Sequence, residues 1–356
     1  MSAVGINDLD DGGGACGLHH CALMRKWAAV VSLSSSVMLA GCGGSSPSGP
    51  GDGSNSRVLE GRTVSAIDGV VAPGVTLAVG TKNVTADSNG YFRLDVGGLS
   101  TFNLRARGNN IVERETTLSG PGAEPARVSL IPSTFDLDSF NQMFRPNGGL
   151  QRWTARPGLV VFASVMSYTG GNREEYAATS EQLTEEEVTL LINHLTEGLS
   201  ILTSGTFTSF ASVEVERPAS GARASVNRPG KIVMGRYNGI VSFANTIGYG
   251  QWALSSDGSV GGGAMYLDRD FDKNDNRRRL LRIHELGHAL GLMHVTERTS
   301  IMNPSLGPDV SDFDRAATSI AFQRPPGNHA PDTDPTGAPT IRSTDRALVW
   351  QTIYCR

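Results

Sequence analysis

His284-Glu285-Leu286-Gly287-His288-Ala289-Leu290-Gly291-Leu292-Met293-His294 decides how this 356-residue chain is read. His284 and His288 are four apart, so on an α-helix their imidazoles stack on one face and can grip one ion. Gly291 lets the backbone leave the helix sharply, because glycine reaches positive φ at no steric cost. His294 can then swing back as a third ligand. Two histidines four apart would alone suit any solvated helix face; the third histidine and the glycine make the pattern a zinc site. Three neutral imidazoles leave one zinc position open, which marks a catalytic rather than a structural centre. Glu285 follows the first ligand and projects beside the metal without ligating it, in place to move a proton.

Eight residues beyond His294 stands Met302, in Ser300-Ile301-Met302-Asn303-Pro304. The long histidine motif followed by such a methionine resembles the metzincin metallopeptidases, in which a Met-turn lies beneath the three histidines. The resemblance implies hydrolysis of peptide bonds by a zinc-activated water, with Glu285 as general base and then acid. It makes Gly291 and Met302 supports of the site. Astacin-like and serralysin-like members carry a tyrosine two residues past the methionine. Pro304 stands there, which is closer to the matrixin branch.

The segment ahead of the motif agrees. Tyr249 to Ser255 and Ala264 to Asp268 read as two short strands joined by a Gly-rich turn. In matrixin-like enzymes an edge strand here pairs with the extended substrate, with main-chain hydrogen bonds for affinity and side-chain pockets for specificity. No individual substrate-binding residue is legible. The resemblance covers roughly residues 150 to 324, densely from 249 to 304.

The length suggests a multidomain chain. A net charge of −4 leaves no basic footprint, so nucleic acid is not expected as a partner. Met24-Arg25-Lys26, an apolar run from Ala28 to Leu39, and Leu39-Ala40-Gly41-Cys42 have the form of a secretory signal. Its ending resembles a bacterial lipobox, which implies cleavage before Cys42 and lipid on that cysteine. The expected place is the cell envelope, in the outer membrane of a Gram-negative cell, facing periplasm or exterior. Residues 1–23 sit ahead of this signal (24–41) and read as a leader upstream of the true start, Met24. Only Cys42 and Cys355 of the four cysteines survive processing, so no intrachain disulfide is expected. Residues 42–56 are almost all Gly, Ser, Pro, Asn and Asp, a flexible tether.

From 57 to 132 short alternating runs recur between turn residues, which predicts a small antiparallel β-sandwich. Gly61, Pro73-Gly74 and Asp87 to Phe92 resemble carboxypeptidase-regulatory-like, transthyretin-like modules. Ala86 to Gly90 reads as a turn between paired strands. An α+β metzincin-type catalytic domain is expected over 133–324: a twisted mixed sheet, the zinc helix, the Met-turn and a C-terminal helix capped by Ser311. Thr184-Glu185-Glu186-Glu187 is a capping box ahead of the apolar stripe Val188, Leu191, Ile192, Leu195, Leu199 and Leu202. His194 on that helix reads as structural. Residues 325–356 read as a Pro-rich linker and a tail without an assigned role.

Asp270, Asp272 and Asn274 imitate the opening of a calcium loop. An EF-hand would need Gly and Glu where Asp275 and Leu281 stand, so a solvated, helix-capping acidic loop is the expectation. The resemblance leaves a calcium site of another kind open. The reading that emerges is a lipid-anchored zinc endopeptidase acting on peptides or proteins, with oligomeric state unread. Its rivals are a binding lipoprotein with a vestigial metal site and a specialised processing peptidase for one envelope protein.

Overall fold

The computed structural model describes residues 57–120, 122, 124–168, 176–241, 245–336 and 348–355. All of these lie in one compact unit, Gly53–Arg356. The signal, Cys42 and the tether up to Ser56 lie outside the described residues. No helix among the described residues is long and apolar enough to cross a membrane.

Residues 57–130 form seven strands: β1 Arg57–Ser65, β2 Thr76–Val79, β3 Lys82–Thr85, β4 Tyr91–Gly97, β5 Thr101–Arg107, β6 Arg114–Ser119 and β7 Ala126–Leu130. They make two sheets, β4-β1-β7 and β3-β2-β5-β6. Period-2 alternation drives this: Phe102, Leu104 and Ala106 of β5 point inward while Thr101, Asn103 and Arg105 stay exposed. The inward residues meet Leu77, Phe92, Leu94, Val128 and Leu130 in one apolar core. Two details depart from the sequence reading. β7 runs parallel to β1, so the smaller sheet is mixed. The Ala86–Gly90 turn joins β3 to β4, which belong to different sheets rather than to one hairpin, because β4 finds its partner in β1.

The larger sheet contains β8 Arg152–Trp153, β9 Gly158–Tyr168, β10 Tyr176–Gln182, β11 Val213–Glu216, β12 Lys231–Asn238, β13 Gly248–Leu254, β14 Ser259–Asp268 and β15 Val349–Cys355. Its order is β10-β9-β12-β14-β13-β15, with β11 on β9 and β8 on β14. β9, β12 and β14 are parallel, while β13 returns antiparallel beside β14. Beside the sheets lie the helices α1 Leu137–Phe144, α2 Glu185–Leu202, α3 Arg269–Asn274, α4 Arg278–Ala289 and α5 Asp312–Phe322. Mixed sheet and few helices make this an α+β architecture consistent with a matrixin domain.

α2 begins at the expected capping box: Thr184 Oγ1 accepts from Glu187 N, and Glu187 Oε2 accepts from Thr184 N. Its buried stripe, Val188, Leu191, Leu195, Leu199 and Leu202, lies in the same core as Leu281, Ile283 and Leu286 of α4. Burying each such leucine stabilises the fold by about 1.5–3 kcal/mol. α2 and α4 touch closely at Gly198, where a Cβ would come within 3.1 Å of Ile283 and Leu286. A second core, with Tyr176, Tyr237, Tyr249 and Tyr266, completes the sheet.

The segment from 325 onward corrects a compositional reading. Asn328 and Asp332 are fully buried, and Asp332 accepts from Arg324 Nε and Nη2 (2.7 Å each) and Arg114 Nη1 (2.9 Å). Arg324 also donates to Ser129 Oγ and Ser129 O. Two buried guanidiniums need carboxylates, so through Asp334 this segment is packed rather than a free linker. Residues 349–355, read as a tail, form β15 against β13.

Candidate metal centre

α4 carries His284, Glu285 and His288, all buried. The helix ends at Ala289, and Gly291 turns the chain away with φ of +94°. Leu292 N donates back to Gly287 O (2.9 Å), which closes the helix end and brings His294 round to the other two. The three imidazoles gather: His288 Nε2 lies 3.1 Å from His284 Nε2 and 3.2 Å from His294 Nε2. All three ligating atoms lie within 4.8 Å of one another.

The outer ring nitrogens of two of them set the chemistry. His284 Nδ1 lies 2.6 Å from Ile301 O, and His288 Nδ1 lies 2.7 Å from Leu292 O. A carbonyl oxygen only accepts, so both Nδ1 atoms carry the proton and both Nε2 atoms present lone pairs. Converging lone pairs repel unless a cation sits among them. Two nitrogens bound tetrahedrally at zinc's ~2.05 Å would lie about 3.3 Å apart, so the set fits that ion. Burial pushes the His284 imidazolium down to about 4, against the opposing pull of the Ile301 carbonyl. Burial likewise takes His294 down to about 4, and burial with its two neighbours holds His288 well below its ordinary value. The ligands are therefore neutral at pH 7, ready for metal.

The hairpin β13–β14 lies against α4 because two glycines leave it room. A Cβ at Gly248 would stand 2.5 Å from Glu285 Oε1, and one at Gly250 would stand 2.3 Å from His288 Cβ. On the underside of the helix, Met302 is fully buried beneath Gly287, whose hypothetical Cβ would meet Met302 Sδ at 2.5 Å. The methionine turn is tied to the ligand loop: Val295 N donates to Met302 O, and Asn303 Nδ2 donates to Val295 O and Arg298 O.

Two residues have roles here that no sequence motif indicated. Asp314 of α5 is buried and accepts from Ser300 Oγ and Ile301 N (2.9 Å), while also serving the Ser311 capping box. It thus anchors the residue whose carbonyl orients His284. The sequence marked a cap at Ser311, but nothing local indicated this second role of Asp314. Asp272 is the other. It is fully buried and accepts from Arg236 Nε (2.6 Å) and from Arg282 Nε and Nη2 (2.7 and 2.9 Å). The acidic stretch is therefore not wholly solvated as expected: Asp268 caps α3, but Asp272 pins the start of the metal helix to the sheet. His194 Nδ1 lies 3.1 Å from Arg282 Nη1, a structural contact as anticipated.

The matrixin family model matches residues 229–318, which take in β12 to β14, the three histidines and Met302. This supports a metzincin-like peptidase domain over that stretch, and with it a metallopeptidase that uses zinc and acts on peptides or proteins. No curated protein matches the chain. Among solved structures, one similar chain belongs to an interface mutant of a type II cohesin–X-dockerin complex from Acetivibrio cellulolyticus. It is 21% identical at a TM-score of 0.16, and the match covers 21% of this chain and 55% of that one.

Proposed function

We propose that this chain is a zinc-dependent endopeptidase in which Glu285 is the proton shuttle. One observation carries the reading: the buried imidazoles of His284 and His288, their lone pairs inward, converge with half-buried His294 next to the buried carboxylate of Glu285 on the same helix as the first two. Zinc held by His284, His288 and His294 supplies a Lewis acid for a peptide carbonyl. Glu285 takes a proton from the attacking water onto a carboxylate oxygen and passes it to the leaving amine nitrogen. The carbonyls of Ile301 and Leu292 hold two ligands in the correct tautomer, and Met302 supports the helix from below.

The finer parts of the reading come from the sequence. Residues 57–132 form a carboxypeptidase-regulatory-like module ahead of the catalytic part. Lipid on Cys42, followed by the 42–56 tether, holds the enzyme at a bacterial envelope.

Metal analysis tests the centre. Protein prepared with zinc is expected to hold one ion per chain, and His288→Ala to lose it while keeping its fold. A wild type that takes up no zinc at neutral pH would rule the reading out.

A further inference from the structure

β13 is the strand beside the metal helix: its Gly248 and Gly250 lie against Glu285 and His288. One of its edges is filled by β14. The other is filled by β15, antiparallel, with Gly248 opposite Cys355, Gly250 opposite Ile353 and Leu254 opposite Val349. The strand expected to offer its edge to an extended peptide already holds an extended segment of its own chain.

The way β15 is held resembles peptide capture more than a core strand. β12 and β14 are mostly buried, whereas none of residues 349–353 is, and Val349 is 59% exposed. Among residues 349–353 the described side-chain anchors are few. Ile353 packs on the core that includes α4, Trp350 on the opposite core, and Thr352 Oγ1 accepts from Gln251 Nε2 (3.0 Å). A backbone ladder runs the length of the strand beside β13, the general mode of strand addition. Cross-strand neighbours share a face, so Ile353 lies on the α4 side with Gly250. A peptide using the outer N–H and C=O groups of β13 needs the same groups that β15 uses, so the two cannot be bound together.

We infer that the segment 349–355 is an internal, displaceable occupant of the peptide-binding edge, so that the intact chain cleaves only weakly until this strand leaves. The inference rests on the peptidase reading and adds to it a means of control. The occupant acts by competition: a tethered segment has an effective concentration of about millimolar, enough to outcompete dilute substrate without tight contacts.

The test uses the zinc-loaded full chain with a recognition site for a sequence-specific protease inserted after Thr340, assayed on a quenched peptide before and after cutting. Cutting is expected to raise kcat/KM about tenfold or more, chiefly by lowering apparent KM. Added peptide 348–356 should reverse the gain competitively. Ile353→Asp in the uncut chain should reproduce it. Hydrogen exchange of the β13 amides should rise on cutting and fall again with the peptide. Equal cleavage before and after cutting, with β13 exchange raised, overturns the inference and leaves the peptidase intact. Unchanged β13 exchange after cutting overturns it also, since the strand is then a fixed part of the sheet. No cleavage by either form, each with one zinc, sinks the peptidase reading and the inference with it.

Discussion

Gly287 and Met302 meet so closely that no side chain fits between them: a Cβ on the glycine would lie 2.5 Å from the methionine sulfur. The glycine between the two helical ligands is thus set by packing from below, and the sulfur determines how low the metal helix rides. Gly287→Ala should force either the helix or the methionine turn to move. Overpacking of this kind costs about 1–3 kcal/mol, read as a lower unfolding temperature together with weaker zinc binding. An alanine variant of unchanged stability and zinc affinity would show that the sulfur yields freely.

Asp314 carries a heavier structural role than its cap position suggests. Asp314→Ala leaves the Ser300 hydroxyl and the Ile301 amide, both buried, without their acceptor. The expected cost is about 3 kcal/mol or more. Because Ile301 O orients His284, zinc affinity should also fall by roughly 10–100-fold, as for other outer-shell partners. Zinc competition with a chromogenic chelator reads the second effect apart from the first.

Asp332 provides a pH signature. Burial alone would raise its carboxyl, but the charges of Arg324 and Arg114 prevail and hold it below its ordinary 3.8. Burial and Arg324 push the Arg114 guanidinium down in turn, yet a guanidinium stays charged at any working pH, so the carboxylate's titration governs. A depressed carboxyl stabilises the fold above its unfolded value and loses that contribution as pH falls through the folded one. Asp332→Asn should therefore destabilise by roughly 3 kcal/mol at pH 7, and the gap to wild type should narrow below about pH 4. Urea unfolding at pH 7 and pH 3.5 measures both; a gap independent of pH would remove the ion pair from the account.

How legible was this in the sequence? The gathering of His284, His288 and His294 was, because three histidines and a turning glycine are a local pattern whose geometry follows from helix periodicity. So were the helix starts at Thr184 and Ser311, where a cap is written in four consecutive residues. Asp272 and Asp314 were not, since their partners Arg236, Arg282 and Ser300 come near only when the chain folds. β15 was hidden for a similar reason. Val349 to Ile353 is a short β-prone run after a Pro-rich stretch, and its partner lies about a hundred residues away. The 325–334 segment misled by composition: proline and glycine predicted a linker, while the decisive feature was a pair of buried arginines seeking Asp332.

The most direct measurement compares wild type with Glu285→Ala, both zinc-loaded, on a quenched peptide library, with metal content determined for each. The account predicts one zinc and an intact fold in both, and chelator-sensitive cleavage by the wild type. The variant should be slower by about 10²–10⁴-fold, because only the proton shuttle is lost. Cleavage undiminished in Glu285→Ala, or cleavage that survives removal of the metal, would contradict it.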